Sequence, residues 1–191
     1  MRQYHHQPNA FSGQRTYTLY DDHIEISSSN VSTQSIAYND IHSIQIQYDP
    51  TRVQLNQYIT VIHYKGGKLK LTNSSYLSFG SFEEHNEAYH SFITKLHQEV
   101  SKNNPNINYF KGTSKYNYLF SIFSFFFIIV VILFAILFSW QHQFLGLVAV
   151  KVIVLLFSVP YLIAYMKRNK PQKYDPQTIP TDGLPLKERQ S

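Results

Sequence analysis

Two long apolar runs in the second half of the chain are its strongest hydrophobic pattern. The first, Leu119–Phe138, contains no charged residue, and the second, Phe144–Met166, contains a single charge, Lys151. A helix needs about 20 apolar residues to cross the hydrocarbon core of a bilayer, and runs of this length are typical of membrane spans. Because only residues 139–143 separate the runs, they predict a two-helix transmembrane hairpin over residues 118–166, with spans 119–138 and 144–166.

Before these runs, apolar and polar positions alternate with a period near two. Over residues 15–71 the alternation predicts five to seven short antiparallel strands, the clearest of which is Ile41–Tyr48. After Leu55–Tyr64, the pair Gly66-Gly67 predicts a two-residue hairpin turn into Lys68–Thr72.

The period changes after residue 80, where apolar side chains recur at three- and four-residue steps. This spacing predicts an amphipathic helix over Phe82–Lys102, with Ile93 and Leu96 in its buried seam. Ser81 and Glu84 fit a capping box at its start. The fold class expected from these patterns is an α+β soluble domain, a bent antiparallel sheet or partial barrel capped by a C-terminal helix, followed by the transmembrane hairpin.

The strand-and-helix region resembles the pleckstrin-homology-like (PH-like) fold. The resemblance is carried by the Asp21-Asp22 turn between the first two strands, the run Ser35–Ile46, the Lys65–Lys70 hairpin and the closing helix. It covers residues 14–102, and together with the two spans it makes the chain similar to uncharacterised bacterial membrane proteins that carry a PH-like domain. The resemblance implies a location in a bacterial inner membrane.

Three further segments complete the expected organisation. Residues 1–13 are polar and aperiodic, which predicts a flexible N-terminal tail, and residues 103–117 are expected to link the domain to the hairpin. Residues 167–191 form a Pro-rich tail, for which we consider two alternatives: a solvated tail, or an extended strap that docks on a partner or on the chain's own domain. The candidate docking residues of this tail are Tyr174, Pro176, Ile179, Pro180, Leu184 and Pro185.

The formal net charge of +5 lies mainly at the edges of the apolar runs. The flanking cations are Lys111, Lys115, Lys167, Arg168, Lys170 and Lys173, whereas the loop between the runs is uncharged. Lys and Arg next to spans favour the cytoplasmic side, so we expect both termini to be cytoplasmic. The basic flanks also suit anionic lipid headgroups, and the nearly neutral remainder does not favour nucleic-acid binding.

The residues that usually carry chemistry are absent or badly spaced. The chain has no cysteine and no Walker, G-x-S-x-G or H-E-x-x-H motif, so we expect no catalytic residue, no cofactor and no metal ion. His90 and His97 share a helix face but lie two turns apart, about 10 Å, which is too far to share one ion. We therefore interpret these two histidines and His85 as solvated surface residues.

Two groups of lysines remain as candidates. Lys65, Lys68 and Lys70 could contact anionic lipid from the predicted hairpin, or could protect an edge strand from aggregation. The Asp21-Asp22 turn argues against phosphoinositide binding, because carboxylates repel phosphate. Lys151 either snorkels to the membrane interface or pairs with another chain, since neither run contains an acid.

These features predict a non-catalytic, membrane-anchored adaptor or accessory subunit that presents a cytoplasmic PH-like domain to a protein or a lipid surface. The main alternative is a subunit of a transport or respiratory membrane complex, with Lys151 at the helix interface. A membrane-bound enzyme is the third hypothesis. The expected partners are membrane lipids and either another membrane protein or a second copy of the chain.

Overall fold

The computed structural model describes residues 2–11, 13–28, 31–51, 54–141 and 145–185. Within it the chain forms two compact units. The soluble unit combines the chain up to Gly112 with the segment that begins at Gln172, and the second unit is Thr113–Pro171. The apolar hairpin is therefore an insertion within the soluble unit, whereas the sequence predicted that the hairpin follows a finished domain.

The soluble unit contains strands in both of its chain segments and one long helix. The described strands are β1 (Arg2–His6), β2 (Arg15–Leu19), β3 (His23–Ser28), β4 (Val31–Ala37), β5 (Ile41–Tyr48), β6 (Tyr58–Tyr64), β7 (Gly67–Thr72), β8 (Ser74–Ser78), β9 (Ser81–Glu84), β10 (Asn108–Lys111) and β11 (Gln172–Lys173). The helices are α1 (Asn86–Asn103) in this unit, and α2 (Lys115–Gln141) and α3 (Leu145–Asn169) in the second unit. The fold class is thus α+β, as predicted.

The first sheet is an antiparallel meander in the order β1-β2-β3-β4. Its first strand lies in residues 1–13, so the expectation of a flexible tail is wrong there. Tyr4 is only 1% exposed, and its hydroxyl donates a hydrogen bond to the Thr72 carbonyl. The hydrophobic pattern missed β1 because the two side chains that it buries are a tyrosine and a histidine, Tyr4 and His6.

The second sheet is open and mixed, in the order β11-β10-β5-β6-β7. The six strands between residues 15 and 72 pair antiparallel with their neighbours, which confirms the pattern-based prediction for that region. Strand β10 instead runs parallel to β5, from Asn108 opposite Ser43 to Lys111 opposite Ile46. It lies in the segment predicted as a linker, because four residues are too few to show an alternation.

The turns and caps around these elements differ in detail from the prediction. Tyr64 pairs with Gly67, so the β6–β7 turn consists of Lys65 and Gly66, not of Gly66 and Gly67. Gly66 has φ 118°, a conformation that side chains other than glycine rarely adopt. The predicted capping box is also wrong, because Ser81–Glu84 form a strand and the α1 helix starts only after His85.

Helix α1 closes the core of the soluble unit with one buried face. Its side chains Tyr89, Phe92, Ile93, Leu96 and Val100 are all fully buried. The ring of Tyr4 lies 5.5 Å from that of Phe92 and 5.8 Å from that of Tyr89, which fixes the helix against strand β1. The predicted apolar seam is therefore the face that the helix buries.

The second unit consists of the two apolar helices, and both are long and apolar enough to cross a membrane. Both extend beyond the predicted spans, since α2 begins at Lys115 and ends at Gln141 and α3 continues to Asn169. Most of their side chains face outward rather than into a protein core. Residues 142–144 of the connecting loop lie outside the described residues.

Candidate docking site of the C-terminal strap

Residues 172–185, which we call the strap, lie on the surface of the soluble unit. Strand β11 pairs with β10, and the Tyr174 amide donates to the Tyr109 carbonyl at 3.2 Å. Leu184, near the other end of the strap, is only 2% exposed. Of the two alternatives for the Pro-rich tail, these residues show docking on the chain's own domain. The last six residues of the tail, 186–191, lie outside the described residues.

A buried histidine holds the first part of the strap. The Nδ1–H of His97 donates to the Ile93 carbonyl at 2.7 Å, so its Nε2 is left to accept a hydrogen bond from the Tyr174 hydroxyl at 2.7 Å. The rings of His97, Tyr109 and Tyr174 form a cluster with centroids 5.2 to 5.9 Å apart. Burial raises the pKa of Tyr174 well above its usual range, so the phenol keeps the proton that it donates.

The expectation of solvated histidines is wrong for His97, which is fully buried. His85 and His90 are partly buried. His97 lies four residues after Ile93 and three before Val100, on the helix face that packs inward. This position next to the apolar seam could have predicted that His97 is buried. The residue type alone could not, because histidine counts as polar in a hydrophobic pattern.

An ion pair and a close backbone approach hold the second part of the strap. The Lys111 ammonium group donates to the Asp182 carboxylate, and Lys111 is only 7% exposed. A Cβ atom at Gly183 would lie 2.5 Å from Cδ1 of Ile46, closer than real contacts allow. Glycine at this position therefore lets the strap backbone reach the side chains of β5.

Between its two attachments the strap forms one wall of a cavity of about 350 Å³. Helix α1 supplies the other wall with polar side chains, among them Thr94, Gln98 and Ser101. Four of the candidate docking residues line the cavity from the strap side: Pro176, Ile179, Pro180 and Leu184. The remaining two, Tyr174 and Pro185, are partly and fully buried. The strap therefore docks through its ends and leaves a groove beside its proline-rich middle.

The burial of His97 predicts that acid destabilises the soluble unit. Burial lowers the pKa of His97 from its ordinary 6.5 to about 4, against the opposing effect of the Ile93 carbonyl. Between pH 6.5 and about pH 4 the unfolded chain therefore binds more protons at His97 than the folded chain does. The free energy of unfolding is highest above pH 6.5 and decreases as the pH falls through about 4. The full loss is about 3 kcal/mol.

The measurement for this prediction is the urea midpoint of the detergent-solubilised chain between about pH 7 and about pH 4. His97→Gln keeps an acceptor for Tyr174 but cannot titrate there, so its midpoint should fall less than that of the wild type. Burial also lowers the pKa of His6 to about 4, which leaves a residual slope in the variant. Equal slopes in both proteins would contradict the role of His97.

The lysine hairpin lies apart from the strap. Lys65, Lys68 and Lys70 are exposed, and β7, which carries the last two, is an edge strand of the second sheet. The Lys65 amide donates to the Asp40 carbonyl, which places the turn beside an acidic residue. This geometry agrees with the protection of an edge strand, and lipid contact by these lysines stays a prediction.

Lys151 has its hydrogen-bond partners on the neighbouring helix of its own hairpin. Its ammonium group donates to the Ala135 carbonyl at 2.8 Å and to the Ser139 hydroxyl. The sequence placed Ser139 in a loop and so missed it as a partner. Because α2 continues to Gln141, the hydroxyl instead lies on a helix where it can reach Lys151.

Among the described residues, no group of three or more His, Cys, Asp or Glu side chains is placed to hold a metal ion. The strap groove is the site at which the sequence-predicted docking residues come together. The chain matches no protein-family model, no curated protein and no solved structure.

Proposed function

We propose that this protein is a non-catalytic, membrane-anchored adaptor or accessory subunit. Its two apolar helices anchor in a membrane a soluble unit that binds another protein. The observation that carries the proposal is the insertion of the apolar hairpin between β10 and β11, which are neighbours in one sheet. Both connections to the hairpin therefore leave the soluble unit side by side, and the unit has two covalent attachments to its anchor.

Two attachments suit an adaptor better than one flexible linker does. Only residues 112–114 connect β10 to α2, and only residues 170–171 connect α3 to β11. Connections this short limit the distance and the rotation available to the soluble unit, because an extended chain spans at most about 3.5 Å per residue. A binding surface that is held at a membrane in this way loses less freedom when a partner binds.

The proposal includes a PH-like fold for the soluble unit. Its support is the chain order of an antiparallel four-strand meander (β1–β4), a three-strand meander (β5–β7) and the amphipathic helix α1. Tyr89 of this helix contacts the ring of Tyr4 in β1 and forms a hydrogen bond with Thr60 in β6. Domains of this kind commonly serve as interaction modules, and the strap groove is the surface that we propose for the partner. The proposal also places the protein in a bacterial inner membrane, with both termini cytoplasmic.

The proposed topology is tested by single-cysteine labelling, since the chain contains no cysteine. A cysteine at Ser191 should react with a membrane-impermeant thiol reagent only from the cytoplasmic side of sealed vesicles. A cysteine at Gln143, between the two helices, is the matched control and should react only from the opposite side. Reaction at Ser191 from the outer side, or at Gln143 from the cytoplasmic side, contradicts the topology.

The adaptor role is tested by purification in a mild detergent. A self-standing enzyme would show turnover as an isolated chain, whereas an adaptor should co-purify with a defined protein. The variants Gln98→Arg and Ile179→Arg place a charge in the strap groove, and both should reduce recovery of that protein. Lys102→Glu changes an exposed residue of α1 outside the groove lining and is the control. Unchanged recovery with both groove variants would remove the groove as the docking surface.

The alternative of a subunit in a transport or respiratory complex is favoured by one observation, the charge of Lys151 within a span. The ammonium group already has two acceptors on α2, so we expect Lys151→Leu to cost only about 1 kcal/mol of interhelical hydrogen bonding. Recovery of any membrane partner should be the same for wild type and variant. A lower yield of the complex at normal expression would instead favour a partner chain at Lys151.

A further inference from the structure

Both connections to the apolar hairpin leave the second sheet at the same end. At the end where β5 finishes with Tyr48 and β6 begins with Tyr58, the chain leaves the unit after Gly112, whose amide donates to the Ile46 carbonyl. The chain returns at the same end, because Gln172 pairs with Lys111. We call this the exit end. The opposite end carries the Lys65–Gly66 turn.

Four large apolar side chains are exposed among the described residues of the soluble unit. They are Phe11 (97% exposed), Leu55 (61%), Leu77 (59%) and Phe79 (fully exposed). Single exposed apolar residues are common on protein surfaces and carry little information. Their distribution is informative, because all four lie in turns between paired strands that begin at or beside the exit end.

The pairing of the strands shows this for each segment. Leu55 lies in the loop between β5 and β6, which turns at Tyr48 and Tyr58. Phe11 lies in the loop that follows β1. The last residue of β1, His6, forms a hydrogen bond with the Thr72 hydroxyl. Thr72 in turn pairs with Ile59, near the start of β6, so this loop lies at the exit end. Leu77 and Phe79 lie in the β8–β9 hairpin, which begins two residues after Thr72. The Tyr76 amide of this hairpin donates to the carbonyl of Gln7, the residue that follows β1.

None of these four apolar side chains lies at the opposite end, whose turns are polar. The turn between β2 and β3 presents Asp21 and Asp22, and the Tyr38 amide donates to the Asp22 carbonyl. Asp40 lies two residues after Tyr38, and the Lys65 amide donates to the Asp40 carbonyl. Both this β2–β3 turn and the 3-10 turn at 38–40 therefore lie at the end away from the exit. Arg2 and Lys65 are also exposed at this end, and Glu83 and Glu84 lie in the β8–β9 hairpin, so the two ends differ in their exposed apolar side chains and not in the sign of their charge.

We propose that Phe11 of the β1–β2 loop, Leu55 of the β5–β6 loop, and Leu77 and Phe79 of the β8–β9 hairpin insert into the interface of a lipid bilayer. This inference rests on the proposed membrane anchoring. The occupant is lipid because the chain's own spans bring a bilayer to within two or three residues of the exit end. Exposed Phe and Leu side chains are stabilised at the boundary between headgroups and acyl chains.

The test uses the full-length chain in vesicles of phosphatidylethanolamine and phosphatidylglycerol. Single cysteines at Ala10, Asn56 and Ser78, next to the exposed apolar residues, carry an environment-sensitive fluorophore. Asn39 at the end opposite the exit is the control position, and Ile128 inside α2 reports insertion of the span. Lipids with a nitroxide near the headgroup should quench the three loop probes and blue-shift their emission, and should leave the Asn39 probe unchanged.

Loss of the apolar side chains should abolish the signal. The double variant Leu77→Ser and Phe79→Ser should remove the quenching at Ser78, while the Ile128 probe stays quenched by a nitroxide near the acyl-chain end. If Ile128 is quenched and the loop probes behave like Asn39, the inference is overturned and the anchoring stands. If Ile128 is not quenched either, both the anchoring and the inference fail. Protection of the loop probes by a second copy or another protein, without lipid quenching, also overturns the inference.

Discussion

Leu96→Asp is expected to unfold the soluble unit. Leu96 is fully buried in the face of α1 that covers the core, and Ile93, one turn earlier, is equally buried. A carboxylate at either position would enter an apolar environment without a partner, which costs about 4 kcal/mol or more. Since whole domains are stable by only about 5–15 kcal/mol, such a loss leaves little folded protein.

The measurement is near-ultraviolet circular dichroism and limited proteolysis of the full-length chain in detergent, for Leu96→Asp and Ile93→Asp. Gln98→Asp changes an exposed residue of the same helix to the same carboxylate and is the matched control. The control should keep its tyrosine signals and its protease resistance. A native spectrum for both core variants would show that α1 is not the element that closes the core.

Leu184→Asp is expected to release the strap while leaving the rest of the soluble unit folded. The leucine is 2% exposed near the end of the strap, and the exchange both removes its buried surface and introduces a carboxylate, at a cost of about 3 kcal/mol. Release should expose the peptide bonds around Tyr174 to chymotrypsin. It should also lower the pKa of the Tyr174 phenol, because burial is what raises it.

Gln177→Asp serves as the control for strap release, since Gln177 is an exposed strap residue that can carry a charge in contact with water. Cleavage near Tyr174 should be fast in Leu184→Asp and slow in both Gln177→Asp and wild type. If Leu184→Asp resists cleavage as well as the control does, the ion pair of Asp182 and the β10–β11 pairing are sufficient to hold the strap.

The elements that the sequence predicted well are those whose burial is periodic over many residues. The strand Ile41–Tyr48 alternates over eight positions, and its bounds in the structure are those predicted. The buried face of α1 runs from Tyr89 to Val100, about three turns, and includes both Ile93 and Leu96. These elements could be predicted because they are long, since each additional repeat reduces the chance that a sequence matches a strand or helix period by coincidence.

The elements that were missed are short or are buried through polar residues. Strand β1 buries Tyr4 and His6, and β10 has only four residues. The docking of the strap depends on single side chains that meet residues far away in sequence. Tyr174 bonds to His97, 77 positions earlier, and Asp182 pairs with Lys111, 71 positions earlier. No local period encodes such pairs, so the docking residues could be predicted but the surface that they occupy could not.

The insertion of the hairpin between β10 and β11 also orders the biosynthesis of the protein. When the ribosome has made residues up to Gly112, β10 has one neighbour, β5, and its other edge is still open. Both apolar helices must be synthesised before Gln172 and the strap emerge to cover that edge. An open strand edge is a site of aggregation. A chain that is interrupted within either helix therefore carries a sheet with an uncovered edge, so the soluble unit can be completed only after both helices have been made.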